Sequence, residues 1–127
     1  MKTTLRKDLN FQAFVSTFQP NIQNEFNHLS RMISELTTWK PNIWGNDIVG
    51  FGHITYSNTY LKDQPYFNIG IRKTTKGYTL YLNAYDQKLY EIADQYHIKY
   101  GVGCFYLKTQ DIYKEGIKQL IQQNLTH

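Results

Sequence analysis

With 127 residues, the chain is long enough to bury a core without cross-links and short for more than one domain. A net charge of +4, spread along the sequence, excludes the dense basic stripe of a dedicated nucleic-acid binder. Hydrophobic residues at 41% argue against disorder, and a single cysteine excludes an internal disulfide or a Cys-rich zinc site.

Tyrosine is unusually frequent, with eleven copies beside seven phenylalanines. It joins an apolar ring to a polar tip, so it suits pockets and interfaces as well as core positions that reach the surface. The opening residues, Met1 to Asp8, carry no apolar signal segment, and no apolar run reaches membrane-spanning length. The expectation is a reduced, cytoplasmic protein without membrane contact.

In chain order, Leu9, Phe11, Phe14, Val15 and Phe18 recur at helical spacing, and Gln19-Pro20 closes that first helix. Ile22, Phe26, Leu29, Ile33 and Leu36 then alternate steps of four and three, which predicts an amphipathic second helix ending near Thr37–Thr38. Pro41 cannot continue it. The stretch from Trp39 to Tyr56 holds both tryptophans and three of the eight glycines, and it organises the rest of the chain. Ile48 to Tyr56 reads as a first strand in which Gly50 and Gly52 leave backbone bare for a ring, a ligand or another chain to approach.

Ser57 to Pro65 reads as a polar loop, and Tyr66 to Arg72 as a second strand with Phe67, Ile69 and Ile71 on one face. A turn ending at Gly77 sends a third strand, Tyr78 to Asn83, back antiparallel. Asp86 to Tyr96 is a third helix, His97 to Gly103 a loop, and Cys104 to Leu107 a fourth strand. Thr109 or Asp111 then caps a last helix, which Gly116 weakens by about 1 kcal/mol relative to alanine. The order ααβββαβα predicts one α+β domain over residues 1–127, with an antiparallel-dominated sheet of four to five strands and helices mainly on one face.

Three blocks of this pattern resemble the YdhG-like family (domain of unknown function 1801), a group of small bacterial domains. The first is Ile43-Trp44-Gly45 followed by Ile48-Val49-Gly50-Phe51-Gly52 and Tyr56. The second is Ile69-Gly70-Ile71-Arg72-Lys73 with Tyr78-Thr79-Leu80-Tyr81, and the third runs from His97 to Leu107. The resemblance implies a compact α+β domain in a bacterial cytoplasm. It supplies no reaction, although some relatives have been suggested to be frataxin-like iron chaperones. Val102 and Tyr96 stand where the family has basic residues, and Ser57 to Pro65 departs from its usual loop, so an anion site would be poorer in positive charge here.

The candidate site is a small cationic mouth made by Arg72, Lys73 and Lys99, floored by Tyr56, Tyr81 and Tyr106 and opened by Gly50 and Gly52, with Trp44 and Phe51 beside it. Cations would pair a carboxylate or phosphate while tyrosine rings stack on its ring. The plainer reading makes Arg72 and Lys73 solvated turn residues. Cys104 and His97 are seven residues apart, but a cysteine within an apolar strand is more often an inert hydrophobe, so no catalytic residue is assigned. His53, His97, Asp47 and Cys104 lack metal-ligand spacing, and no cofactor is expected.

The sequence thus points to a non-enzymatic module that binds a small anionic or nucleotide-like ligand, or a protein. A homodimer is compatible with its exposed aromatics, and nucleic acid is disfavoured by the sparse charge. The alternative is a frataxin-like, iron-binding chaperone, against which Asp8, Glu25 and Glu35 are too few acids on the first two helices.

Overall fold

The computed structural model describes residues 4–56 and 64–126. Asn10 caps the short helix α1 (Phe11–Val15), its Oδ1 accepting from the Ala13 N–H at 2.8 Å. Pro20 opens α2 (Pro20–Thr37), where a missing N–H costs nothing, and Thr38 ends it in the left-handed region at φ 67°. Its apolar stripe buries Phe26, Leu29 and Ile33 as the spacing predicts. Asp86 caps α3 (Gln87–Gln95) through the Lys88 N–H. The predicted last helix is broken at Lys114, whose extended backbone separates a 3-10 turn (Thr109–Tyr113) from α4 (Glu115–Asn124). No helix among the described residues is long and apolar enough to cross a membrane.

The fold is mixed α+β, and its strands exceed the four or five expected. They are β1 (Pro41–Trp44), β2 (Ile48–Phe51), β3 (Ile54–Tyr56), β4 (Gln64–Tyr66), β5 (Ile69–Lys73), β6 (Gly77–Leu82), β7 (Lys99–Gly101) and β8 (Cys104–Lys108). Six form one antiparallel sheet in the order β1-β2-β5-β6-β8-β7, and β3 pairs with β4 apart from it. The single strand expected from Ile48 to Tyr56 is two strands, because Gly52 at φ +77° turns the chain out of the large sheet. The strand expected from Tyr66 to Arg72 likewise breaks between β4 and β5. Residues 57–63 of the expected polar loop lie outside the described residues, while Gln64 and Pro65 belong to β4. The expected loop from His97 to Gly103 contains β7.

All four helices pack on one side of the six-stranded sheet, over Ile43, Val49, Phe51, Ile69, Ile71, Leu80 and Phe105, all buried. At one edge of the sheet, residues 4–6 lie along β1. The Thr4 carbonyl accepts from the Gly45 N–H and the Ile43 carbonyl from the Arg6 N–H, each at 2.8 Å, and Leu5 bridges Trp44.

One polar pair is sealed into the core. The Tyr78 hydroxyl, on a residue 1% exposed, donates to Glu25 Oε1 of α2 at 2.7 Å. Burial first, and the Glu25 carboxylate second, hold the phenol well above its ordinary pKa of 10.0. The folded chain therefore retains a proton above pH 10 that the unfolded chain gives up, so the pair's stabilisation falls as pH rises past that value. Tyr78→Phe leaves the carboxylate buried without its donor and is expected to cost about 1–3 kcal/mol near neutrality. Urea unfolding checks this, and a variant as stable as wild type at pH 7 would count against it.

Candidate functional site on the outer face of the sheet

Because successive strand residues alternate sides, the partners of the core-facing residues define an outer face that α1 to α4 do not cover. The register aligns Ile48, Arg72, Thr79, Tyr106 and Lys99 in one row across β2, β5, β6, β8 and β7. The neighbouring row is Gly50, Gly70, Tyr81, Cys104 and Gly101. Arg72 and Lys99 thus share a face, three strand spacings or roughly 14 Å apart.

Arg72 is oriented by Asp47, its Nε donating to Oδ2 at 2.9 Å. That bond, and to a smaller degree the Tyr81 hydroxyl, pushes the guanidinium pKa further up. Both partners are nearly half exposed, so the pair is worth only about 0.2–1 kcal/mol and the cation stays open to an incoming anion. Tyr106 is 50% exposed, and its ring leans across β7, where a Cβ on Gly101 would meet Oη at 3.0 Å. Burial raises the pKa of the half-buried Cys104, which keeps it a thiol rather than a thiolate nucleophile.

Among the residues singled out in the sequence, Arg72, Tyr81, Lys99 and Tyr106 therefore share one face, but Arg72 and Lys99 do not converge into the expected small mouth. The others separate from them for reasons of alternation and packing. Phe51 points to the helix side and is fully buried. Lys73 follows Arg72 in β5 and so takes the opposite side, where Nζ donates to the Thr74 carbonyl and lies 5.3 Å from the Tyr78 ring centre. Tyr56 belongs to β3, in the separate two-stranded sheet, paired with Gln64.

Trp44 and Gly50 do lie on the outer face, but they are sealed. Gly50 and Gly70 are cross-strand partners, and the space over them is filled by the Trp44 indole and the Phe67 ring. Phe67 is not in the strand row with Ile69 and Ile71; it swings over Gly70 to the other side of the sheet. With Tyr66 at 4.1 Å, Trp44 at 5.9 Å and Tyr81 at 6.1 Å between ring centres, it forms a second, aromatic core. The bare backbone that suggested ligand access is a floor for the protein's own rings. Gly52 sits away from this floor, with Trp39 and Asn68 packed against it.

Lys108 was not singled out in the sequence, yet it follows Tyr106 by two residues in β8 and extends the outer face, exposed. Strict alternation along Cys104 to Lys108 carries that signal. A separate groove of about 480 Å³ runs between α2 and the 3-10 turn, with His28, Arg31, Tyr113 and Lys118 on its walls. There His28 Nε2 lies 3.1 Å from the Ile112 carbonyl and its ring 4.6 Å from that of Tyr113. Among the described residues no three of His, Cys, Asp and Glu gather where they could hold a metal. Comparison of the chain with protein-family models, curated proteins and solved structures yields no match in any of the three.

Proposed function

We propose that the outer face of β5, β6, β8 and β7 binds a small, ring-bearing anion of nucleotide type, as a non-enzymatic module of the YdhG-like kind. The observation that carries this reading is the row in which Arg72 and Lys99 bracket the half-exposed ring of Tyr106 on the face away from the helices. A ring can stack on Tyr106 while phosphate or carboxylate reaches a cation on either side. On the face of a sheet, charge and stacking are favoured over enclosure as means of recognition.

The test is titration of the protein with ATP and with inorganic phosphate, alongside Lys99→Glu and Tyr106→Ala. Both substitutions fall on exposed side chains and are expected to leave the unliganded unfolding temperature unchanged. Lys99→Glu is expected to weaken ATP about tenfold or more, a loss of about 1.4 kcal/mol, and Tyr106→Ala to remove the preference for ATP over phosphate. Equal ATP affinity in both variants would place the ligand elsewhere.

The protein-interaction half of the same reading is favoured by Val102, Tyr100 and Tyr106, which are 80%, 40% and 50% exposed around the β7–β8 turn. Silence toward anions, with capture of a protein lost on Val102→Asp, would move the weight there. A frataxin-like iron site needs clustered oxygen ligands, and no observation favours one.

A further inference from the structure

Where α4 ends, three asparagines converge on one cleft from three different parts of the chain. The cleft has a volume of about 410 Å³ and is walled by Trp39, Asn68, Asn83 and Asn124, with Ile54, Ala84 and Leu125 completing it. Gly52 supports two of these walls: at φ +77° it brings the Trp39 ring and Asn68 Cβ within 2.8 and 2.9 Å of where its own Cβ would stand, so a glycine is needed for the two residues to pack side by side.

The hydrogen-bond inventory of this cleft is incomplete. Asn124 is only 3% exposed, and its Oδ1 accepts from the Ala84 N–H at 2.9 Å. Among the described residues its Nδ2 makes one hydrogen bond, a long one of 3.4 Å to Asn68 Oδ1, although an amide nitrogen carries two donors. The remaining donor therefore lies in a site from which most water is excluded. The Asn68 amide nitrogen and the whole Asn83 amide also lack protein partners among the described residues. Among the described residues no titratable side chain lines the cleft. Unspent amide donors, a flat indole wall and no charge together suit a neutral, planar, carbonyl-bearing ring, because a charged ligand would be desolvated there without a counter-charge.

We infer that this cleft is a binding site for a neutral cyclic amide of nucleobase type, distinct from the cationic outer face. Trp39 stacks on the ring, Asn68 and Asn124 donate to its carbonyl oxygen, and Asn83 reads the ring edge as donor and acceptor. Asn124 has a second duty in tethering Ala84, so Asn83 is the residue to change.

The experiment follows the two indole N–H signals by NMR during titration with uracil and nicotinamide, and with their carboxylate counterparts orotate and nicotinate. Trp39→Phe assigns the signals. Uracil or nicotinamide is expected to shift the Trp39 signal saturably while the signal of the buried Trp44 stays in place. Asn83→Ala should weaken that binding at least about tenfold, and Tyr106→Ala should leave it unchanged. The carboxylates should bind at least about tenfold more weakly. No saturable shift with either neutral ring at millimolar concentration overturns the inference, as does equal affinity in Asn83→Ala or for the carboxylates. A circular dichroism melt of Asn83→Ala matching wild type separates lost recognition from lost fold.

Discussion

Trp44→Ala is expected to lower the free energy of unfolding by about 3–5 kcal/mol, the largest single loss among side-chain truncations on the outer face. Trp44 is 1% exposed and heads the fully buried side chains by size. Its ring meets Phe67 edge-on at 5.9 Å and Tyr66 at 6.2 Å, and it covers Gly50. The cost of a truncation depends on how far the gap can close, and here closure is hindered from below and from the side. The floor is Gly50 and Gly70, which have no side chains to move, and the β1 backbone is held by Leu5 and the 2.8 Å bonds around it. Urea unfolding measures the loss. Trp44→Phe should recover most of it, and a loss below about 1 kcal/mol for alanine would mean the second core contributes little.

Gly77→Ala should follow at about 3 kcal/mol, near the upper end for overpacking. A Cβ at this position would run into the Leu107 carbonyl oxygen, an atom of the neighbouring strand's backbone. Gly77 pairs with Lys108, so relief requires β6 and β8 to part at the end of their ladder. Gly116→Ala makes a useful contrast, since its Cβ would meet the base of the Tyr96 ring at 2.5 Å, so the strain falls between α4 and the end of α3 and not on the sheet. Hydrogen exchange on the β8 amides would show the difference: faster exchange is expected in Gly77→Ala and wild-type protection in Gly116→Ala. Unchanged protection in Gly77→Ala would show that the sheet absorbs the methyl group.

These glycines also show what could be read ahead of the structure. Alternation in Tyr78 to Leu82 and the four-three steps of α2 each carry a period long enough to fix a face, and both faces are as the spacing predicts. The sheet's six strands could not be counted that way, because β1 and β7 are three or four residues long and hold no full period. Gly52 carried the break between β2 and β3, but a glycine in a strand signals a bend and a close approach equally. The candidate site divided on the same ground. Arg72, Tyr81, Lys99 and Tyr106 share a face through registers between strands distant in sequence, which no local pattern records. Lys73 was separated from Arg72 by the alternation itself, a signal that was present. The cleft near Asn124 had no local sign, since its three amides belong to segments joined only by folding.

The covering of β1 by residues 4–6 also bears on assembly. A sheet with two free margins can add copies at both and grow without limit, whereas one with a single free margin is exhausted by one pairing. In the six-stranded sheet, β1 is lined by its own chain, and among the described residues β7 is the margin left open. Copies that joined strand to strand through β7 would close into a two-fold pair and stop. The few residues lying on β1 would thus limit any such pairing to one margin, and removing them would expose a second.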